Sequence, residues 1–164
     1  MSGATAAKPA LPNVGEILGR LLERLPAPEH PLFVAIAERM AAERYRGWAE
    51  VAPAAQRAGL LACSVREEGI ASRVESLHEN AAARQQKIRA ASPEIADLNR
   101  TTFAGRPLEE QYAIQAQGER IGAGLWRSLA QASTSEHAKR TYLECAGLEE
   151  ENAVFLESLL GARR

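Results

Sequence analysis

The sequence contains few cysteines, and it lacks long hydrophobic runs and basic clusters. Only two cysteines occur in 164 residues, Cys63 and Cys145. Their separation fits neither a zinc motif nor a disulfide framework, so we expect free thiols. No stretch of about 18 apolar residues without a charge occurs, so we expect no membrane-spanning helix and no membrane partner. The formal net charge is -1 and no basic run stands out, so we expect no nucleic-acid partner either.

The sequence also begins without the apolar segment of a signal peptide, and we therefore expect a cytoplasmic protein. Aromatic residues make up only 5% of the chain. β-Branched residues are sparse, and apolar and polar residues never alternate over the length of a strand. Alanine is abundant instead. These features predict an all-α protein, and 46% hydrophobic residues in a chain of this length predict one buried core.

Helix-breaking residues divide the chain into three regions. Residues 1–12 are rich in alanine, proline and glycine, and we expect a disordered tail there. Residues 13–26 are predicted to form a short amphipathic helix, because Asn13 and Glu16 have the spacing of a capping box and leucines follow at helical spacing. Residues 27–164 are predicted to form a bundle of four long helices. These helices begin near Pro31, Pro53, Pro107 and Ser133 and end near Val51, Ala90, Ala132 and Gly161.

Two pairs of segments within these helices repeat each other. LACSVREEGIASRVESL, at 61–77, agrees with LECAGLEEENAVFLESL, at 143–159, in eight of seventeen positions at an offset of 82. ERMAAERYRGWA, at 38–49, shares five residues with ERIGAGLWRSLA, at 119–130, at an offset of 81. The repeat predicts an antiparallel four-helix bundle of two duplicated helical hairpins with a central crossover at 91–106. The one-residue change of offset belongs in the tight turns, near Ala52 and Thr134.

The helical period places one repeated glutamate of each long helix in an apolar stripe, at one level of the bundle. These four residues are Glu38, Glu67, Glu119 and Glu149. Because burial of a bare carboxylate costs several kcal/mol, metal ions, shared protons or arginines must neutralise them. Arg39 and Arg120 project about 100° away and are weak candidates for this task. Glu68 and Glu150 lie at the margin of the stripe.

The arrangement of these residues resembles a known superfamily. The first half contains Glu38-x-x-Ala41-x-x-x-Tyr45-x-x-Trp48-Ala49 followed by EEGIA, and the second half contains Glu119 followed by EEENA. This pattern is similar to the ferritin-like superfamily, and nearest to its rubrerythrin-type di-iron carboxylate members, over about residues 30–160. The resemblance implies a ferritin-like antiparallel four-helix bundle of duplicated hairpins with a long central crossover.

The resemblance also implies a metal site. In that family two helices each provide one glutamate, and the other two each provide Glu-x-x-His. By similarity, Glu38 and Glu119 would be terminal ligands, whereas Glu67 and Glu149 would bridge two metal ions. The implied ancestry is that of an oxidoreductase that handles oxygen or peroxide. We also expect a homo-oligomer, specifically a dimer.

The two expected histidines are replaced in this sequence by Ile70 and Asn152. Isoleucine has no ligand atom, and asparagine offers only an amide oxygen, which suits hard cations better than iron. We therefore predict a degenerate, carboxylate-rich and histidine-poor site for iron or manganese, and a bundle without metal stays open. The candidate ligands are Glu38, Glu67, Glu119, Glu149 and the amide of Asn152, with Glu68 and Glu150 as accessory carboxylates.

One Glu-x-x-His sequence does occur, at Glu75 and His78. Its copy in the last helix has leucine at the histidine position, so we interpret His78 as a residue near a helix end rather than a ligand. Cys63 and Cys145 each precede a candidate ligand by one helical turn. We interpret them as small buried hydrophobic residues, and thiolate ligation or a redox pair stays open.

Two hypotheses about function follow. The first is a ferritin-like protein with a degenerate metal site and oxidoreductase-type ancestry, and whether it is an enzyme stays open. The second is a non-catalytic ferritin-like bundle that acts as a structural or protein-interaction module without metal, through dimer surfaces and the N-terminal helix. The replaced histidines favour the second hypothesis. Four inward glutamates in register favour the first, because a purely structural core gains little from polar residues there.

Overall fold

The computed structural model describes residues 10–161, and in this part of the chain all regular structure is helical. The α-helices are α1 (Val14–Leu22), α2 (His30–Val51), α3 (Ala54–Glu75), α4 (Ala81–Ala91), α5 (Leu98–Thr102), α6 (Leu108–Ala132) and α7 (Glu136–Gly161). Short 3₁₀ helices precede α2 and α5, at Ala27–Glu29 and Pro93–Asp97. The prediction of an all-α protein is confirmed.

Three of these helices begin directly after a predicted start residue. The Asn13 side chain accepts a hydrogen bond from the Glu16 backbone N at 3.1 Å, which starts α1. α3 and α6 begin directly after Pro53 and Pro107. α7 begins two residues later than the Ser133 capping box predicts, because Ser135 is the cap and its hydroxyl accepts from the Ala138 backbone N at 3.2 Å.

The helix predicted from Pro53 to about Ala90 is interrupted at 76–80, so the prediction of one continuous helix is wrong and α4 forms part of the crossover. α3 ends at Glu75, and α4 begins only after Asn80, which has a left-handed backbone with φ of 55°. Asparagine adopts this conformation more readily than most residues.

Two hairpins of long helices make up most of the described chain. α2 packs along α3, and α6 packs along α7; α3 also contacts α7, and α2 contacts α6. Two residues link α2 to α3, whereas three residues link α6 to α7. This difference of one residue accounts for the change of offset from 81 to 82, and it lies in the turns where the sequence predicts it.

The interior contains two apolar clusters with the glutamate level between them. One cluster includes Phe33, Ile70, Trp126 and Tyr142. The other includes Tyr45, Leu60, Tyr112 and Leu156. Along every long helix the repeated glutamate lies between the residues of the first cluster and those of the second. The acidic side chains therefore occupy a layer inside the core.

The N-terminal helix α1 packs on the bundle and contacts α6. Leu21 is buried, and Leu18 and Leu22 pack against the first apolar cluster. Of the predicted tail at 1–12, residues 1–9 lie outside the described residues, and residues 10–12 form no regular structure. Within residues 10–161, no helix combines the length and the apolar character needed to cross a membrane.

Candidate metal centre

One glutamate from each long helix reaches the interior at the same level. The exposed fraction is 7% for Glu38, 0% for Glu67, 1% for Glu119 and 2% for Glu149. Glu38, Glu67 and Glu149 each offer one carboxylate oxygen, and these three oxygens lie within 4.8 Å of one another. We call these three residues the carboxylate triad. Glu119 lies beside the triad, since its charge contributes to the raised pKa of all three carboxyl groups. We call the triad together with Glu119 the carboxyl cluster, or simply the cluster.

Burial makes these carboxyl groups hard to ionise. Burial raises the pKa of Glu38 to about 7, and the charge of Glu119 contributes to this increase. Burial likewise raises the pKa of Glu67 and of Glu149 well above the usual range, and the neighbouring glutamates raise both further. In the absence of a cation, the carboxylate triad therefore retains protons at neutral pH.

Two aromatic residues at equivalent positions of the repeat donate hydrogen bonds to the cluster. Tyr45 Oη donates to Glu119 Oε1 at 2.6 Å, and Trp126 Nε1 donates to Glu149 Oε1 at 3.0 Å. Tyr45 and Trp126 are separated by the offset of 81, so each hairpin supplies one aromatic donor at this level. These bonds orient two of the four carboxyl groups.

The two positions at which the resemblance implies histidines have different surroundings. Ile70 is fully buried in the first apolar cluster. Asn152 is also fully buried, and its Nδ2 donates to Glu67 Oε1 at 2.6 Å. Its Oδ1 accepts from Arg66 Nη1 at 3.3 Å. The structure thus presents a hydrogen-bond donor of Asn152 to the cluster, whereas the amide oxygen, the candidate ligand atom, is bonded to Arg66.

Two carboxylate oxygens of the cluster have no hydrogen-bond partner among the described residues, Glu67 Oε2 and Glu119 Oε2. Buried polar atoms of native proteins are nearly always paired, and an exception calls for an unseen proton, water or ion. Both orphan atoms are acceptors on groups that carry negative charge when ionised. A cation or a shared proton would therefore satisfy these two oxygens.

The predicted accessory carboxylates are not brought to the cluster. Glu68 pairs with Arg39 and Arg46, and Glu150 pairs with Arg127. The side chains of Glu68 and Glu150 remain 37% and 42% exposed. Glu68 and Glu150 stay outside the cluster because they lie at the margin of the apolar stripe, where arginines of the neighbouring helix reach them at the surface.

An arginine that acts on the buried carboxyl groups, Arg44, was not identified from the sequence. Arg39 and Arg120 pair with Glu75 and Glu157, as their direction away from the stripe suggests. Arg44 instead donates to Gln115 Oε1 from Nε at 3.0 Å and from Nη2 at 2.8 Å. Burial lowers the pKa of Arg44 to about 10, so it stays charged at neutral pH.

Gln115 relays the charge of Arg44 to the cluster. Its Nε2 donates to Glu119 Oε1 at 2.7 Å. The sequence does contain a signal for Gln115, which precedes Glu119 by four residues and so shares its helix face. It contains none for Arg44, whose burial depends on Asn99 and Phe103 of the crossover. Arg66 reaches Glu67 in the same indirect way through Asn152, so two positive charges act on four carboxyl groups and each acts through an amide.

Gly122 is a second residue that sequence reasoning missed. A Cβ at this position would lie 2.7 Å from Glu149 Oε1 and 2.9 Å from its Cδ. Only a glycine leaves the Glu149 carboxylate where it is, against the backbone of α6. The signal was its spacing, three residues after Glu119 on the inward face.

The remaining polar candidates lie apart from the cluster. Glu75 accepts hydrogen bonds from Arg39 and from Gln85, so the Glu75 and His78 pair forms no part of the site. Burial lowers the pKa of His78. Cys63 and Cys145 are buried free thiols, and burial raises the pKa of each to about 12. Both cysteines are therefore protonated at neutral pH, as expected of small core residues.

The carboxylate triad fits a metal ion by spacing and by chemistry. Two oxygens bound to one ion at roughly 2.0–2.6 Å lie at most about 5 Å apart, and the triad oxygens satisfy this limit. A donor set made of carboxylate oxygens suits hard divalent cations such as manganese, magnesium and calcium. The unpaired Oε2 of Glu67 is a further acceptor that a cation would satisfy. The triad can therefore hold a metal ion.

No known protein family matches this chain, and neither does any curated protein or solved structure. A function must therefore be argued from the chemistry of the site itself. The relevant features are the burial of four carboxyl groups, the spacing of the triad and the shortage of positive charge around it.

Proposed function

We propose that this protein binds a divalent metal ion at the carboxylate triad, within a ferritin-like bundle that carries a degenerate di-iron carboxylate site. The observation that supports this most directly is the buried convergence of Glu38, Glu67 and Glu149, with one oxygen of each within 4.8 Å of the others. A cation bound there replaces the protons that the cluster otherwise retains. It also offsets the cost of burying several negative charges. Glu119 is the fourth candidate ligand.

Manganese(II) or iron(II) is the proposed ion. Residues 70 and 152 supply no imidazole nitrogen, so the donors are oxygens, and such a set favours manganese over softer metals. The triad accommodates a single ion. Bound metal would supply Lewis acidity in a site from which the two apolar clusters exclude bulk water.

The ferritin-like architecture is part of this proposal, and the repeated surface contacts support it. Arg39 Nε donates to Glu75 Oε1 at 2.9 Å in the first hairpin, and Arg120 Nε donates to Glu157 Oε1 at 2.9 Å in the second. The crossover that contains α4 and α5 joins these two matching hairpins. Oxidoreductase-type ancestry belongs to the same proposal, and the predicted dimer stays a prediction.

Metal titration of the full-length protein tests this function. Chelator-treated protein is titrated with manganese(II), and anaerobically with iron(II), in a calorimeter. We expect binding of a single ion, and at a free metal concentration of 100 times Kd the folded state should gain about 2.7 kcal/mol. A protein that binds neither metal, and whose thermal midpoint neither metal changes, would contradict the proposal.

Isosteric variants test the ligand assignment. Glu67→Gln and Glu149→Gln should abolish metal binding, because each removes a charged oxygen donor and keeps the size of the side chain. Glu68→Gln is the matched control, since Glu68 follows Glu67 directly and is paired with arginines at the surface. Loss of binding in Glu68→Gln, or full binding in Glu67→Gln, would show that the ligands are assigned incorrectly.

A bundle without metal is the second candidate function, and one set of contacts favours it. Several oxygens of the buried carboxyl groups accept hydrogen bonds and are satisfied without a cation. The donors are Tyr45, Gln115, Trp126 and Asn152. Shared protons would then neutralise the remaining charge, and the protein would act as a structural or interaction module. The titration separates the two candidates, because this one requires that no metal binds.

A further inference from the structure

A cavity of about 100 Å³ lies between the carboxyl cluster and α1. Its wall is mainly apolar and includes Leu18 and Leu22 of α1 and Phe33 of α2. Glu38, Glu119 and Glu149 form the acidic part of the wall, and Arg44 is its one basic residue. The cavity therefore joins an apolar space to the buried carboxyl groups.

The size and lining of this cavity restrict what can occupy it. Sites for drug-sized ligands measure roughly 300–1,000 Å³, whereas an engineered apolar cavity of about 150 Å³ in another protein binds benzene or xenon. An ordered water needs several polar partners, and most of this wall has none. A charged molecule would lose its hydration to the apolar side chains. The space thus favours a small neutral molecule.

Two further observations indicate that the space serves a ligand. The space is partly open to solvent, so a ligand can enter it from outside. Gly118 of α6 lines this space, and a Cβ there would meet only Val14 Cγ1, at 3.7 Å, so a larger residue that would fill the space is sterically possible. Glu119 also lines it, and among the described residues its Oε2 has no hydrogen-bond partner.

We propose that this cavity binds a small, neutral, mainly apolar molecule about the size of benzene, with any hydroxyl group directed at Glu38 and Glu119. The binding site goes beyond the proposed metal function, since it requires only the shape and the lining of the cavity. A metal at the triad would lie beside the bound molecule, because Glu38 and Glu149 belong both to the triad and to the cavity wall.

Small probe molecules test the chemical class of the ligand. Metal-free full-length protein is titrated with benzene, and with the size-matched set of butan-1-ol, butylammonium and butanoate. We expect benzene and butan-1-ol to bind in the calorimeter and to raise the thermal midpoint, and the two charged probes to do neither. Binding of butylammonium or butanoate at least as tight as that of butan-1-ol would overturn the assignment to neutral molecules.

Variants of two glycines on α6 test the location. Gly118→Leu should fill the cavity and raise the Kd for benzene about tenfold or more, and Gly118→Ala, which meets no close contact, should raise it by a smaller factor. Gly124→Leu and Gly124→Ala are matched controls, since Gly124 is exposed and has no atom near its Cβ position. Unchanged benzene binding in both Gly118 variants would overturn the site.

Manganese titration of the same proteins keeps this inference separate from the proposed function. A wild-type protein that binds manganese and not benzene overturns the cavity inference alone. One that binds benzene and not manganese supports the cavity inference and contradicts the metal site. Gly118 is not among the proposed ligands, so its variants should retain manganese binding.

Discussion

At the scale of single residues, two glycines of α6 have opposite roles. Gly122 faces inward, and its missing side chain leaves room for the Glu149 carboxylate. Gly124 lies on the exposed side of the same helix, and nothing is within 4 Å of its Cβ position. Glycine weakens any helix interior, because the unfolded chain has more conformations to lose. Of these two glycines, only Gly122 is required by packing, because a Cβ there would overlap the Glu149 carboxylate.

Alanine substitutions at these two glycines should change stability in opposite directions. Gly124→Ala should stabilise the protein by about 0.5–1 kcal/mol, because alanine is the better helix former. Gly122→Ala should destabilise it by about 1–3 kcal/mol through overpacking against Glu149, and it should also weaken manganese binding. Urea unfolding and calorimetric titration measure both effects. Equal stabilisation by the two variants would show that Glu149 is not held against α6.

At the scale of the helices, the duplicated hairpins carry equivalent ion pairs in unequal surroundings. Arg39 and Glu75 are 37% and 20% exposed, and Gln85 of α4 also donates to Glu75. Arg120 and Glu157 are 44% and 45% exposed. The first pair is more enclosed because the crossover returns over the first hairpin, where α4 contacts α2.

The two pairs should therefore contribute unequally to stability. Double-mutant cycles with Arg39→Gln and Glu75→Gln, and with Arg120→Gln and Glu157→Gln, should give coupling energies below about 1 kcal/mol, as for other exposed pairs. The Arg39 pair should have the larger coupling and the smaller sensitivity to salt, because it is less exposed to solvent. A larger coupling for Arg120 and Glu157 would contradict the effect assigned to the crossover.

At the scale of the whole molecule, a layer of carboxyl groups separates the two apolar clusters. Burial raises the pKa of Glu38 to about 7 and that of Glu67 and Glu149 well above the usual range. In the metal-free protein the folded state therefore binds protons more tightly than the unfolded chain does. Protons stabilise this core in the same way as a metal ion would.

Metal-free protein should lose stability as the pH rises through about 7. Stability falls from about pH 4.5, where the same carboxyl ionises in the unfolded chain, and the contribution of Glu38 is fully lost once the pH exceeds its folded pKa of about 7. Chemical denaturation in the presence of a chelator, from about pH 5 to about pH 9, measures the slope. Glu38→Gln should flatten it, and Glu43→Gln, at an exposed position on the same helix, should not. A slope of the opposite sign would show that these carboxyls are not protonated in the fold.

Helical periodicity was sufficient to identify Glu38, Glu67, Glu119 and Glu149, since residues that recur every three or four positions share a face. It could not separate Glu119 from the triad, because the rotamers and the hydrogen bonds of Tyr45 and Gln115 determine which oxygens converge. Glu68 and Glu150 illustrate a different limit. Their marginal position was recognised, but their pairing with arginines depends on the neighbouring helix.

The sequence by itself determined the helices, the duplication and the depth of the four glutamates, because these depend on local periodicity and on the internal repeat. Only the tertiary structure decided the interruption before α4, the approach of Arg44 to Gln115 and the cavity beneath α1. These features arise where the crossover and α1 pack on the hairpins. Contacts between segments far apart in the chain leave no periodic signal in either segment, so they become visible only in the folded protein.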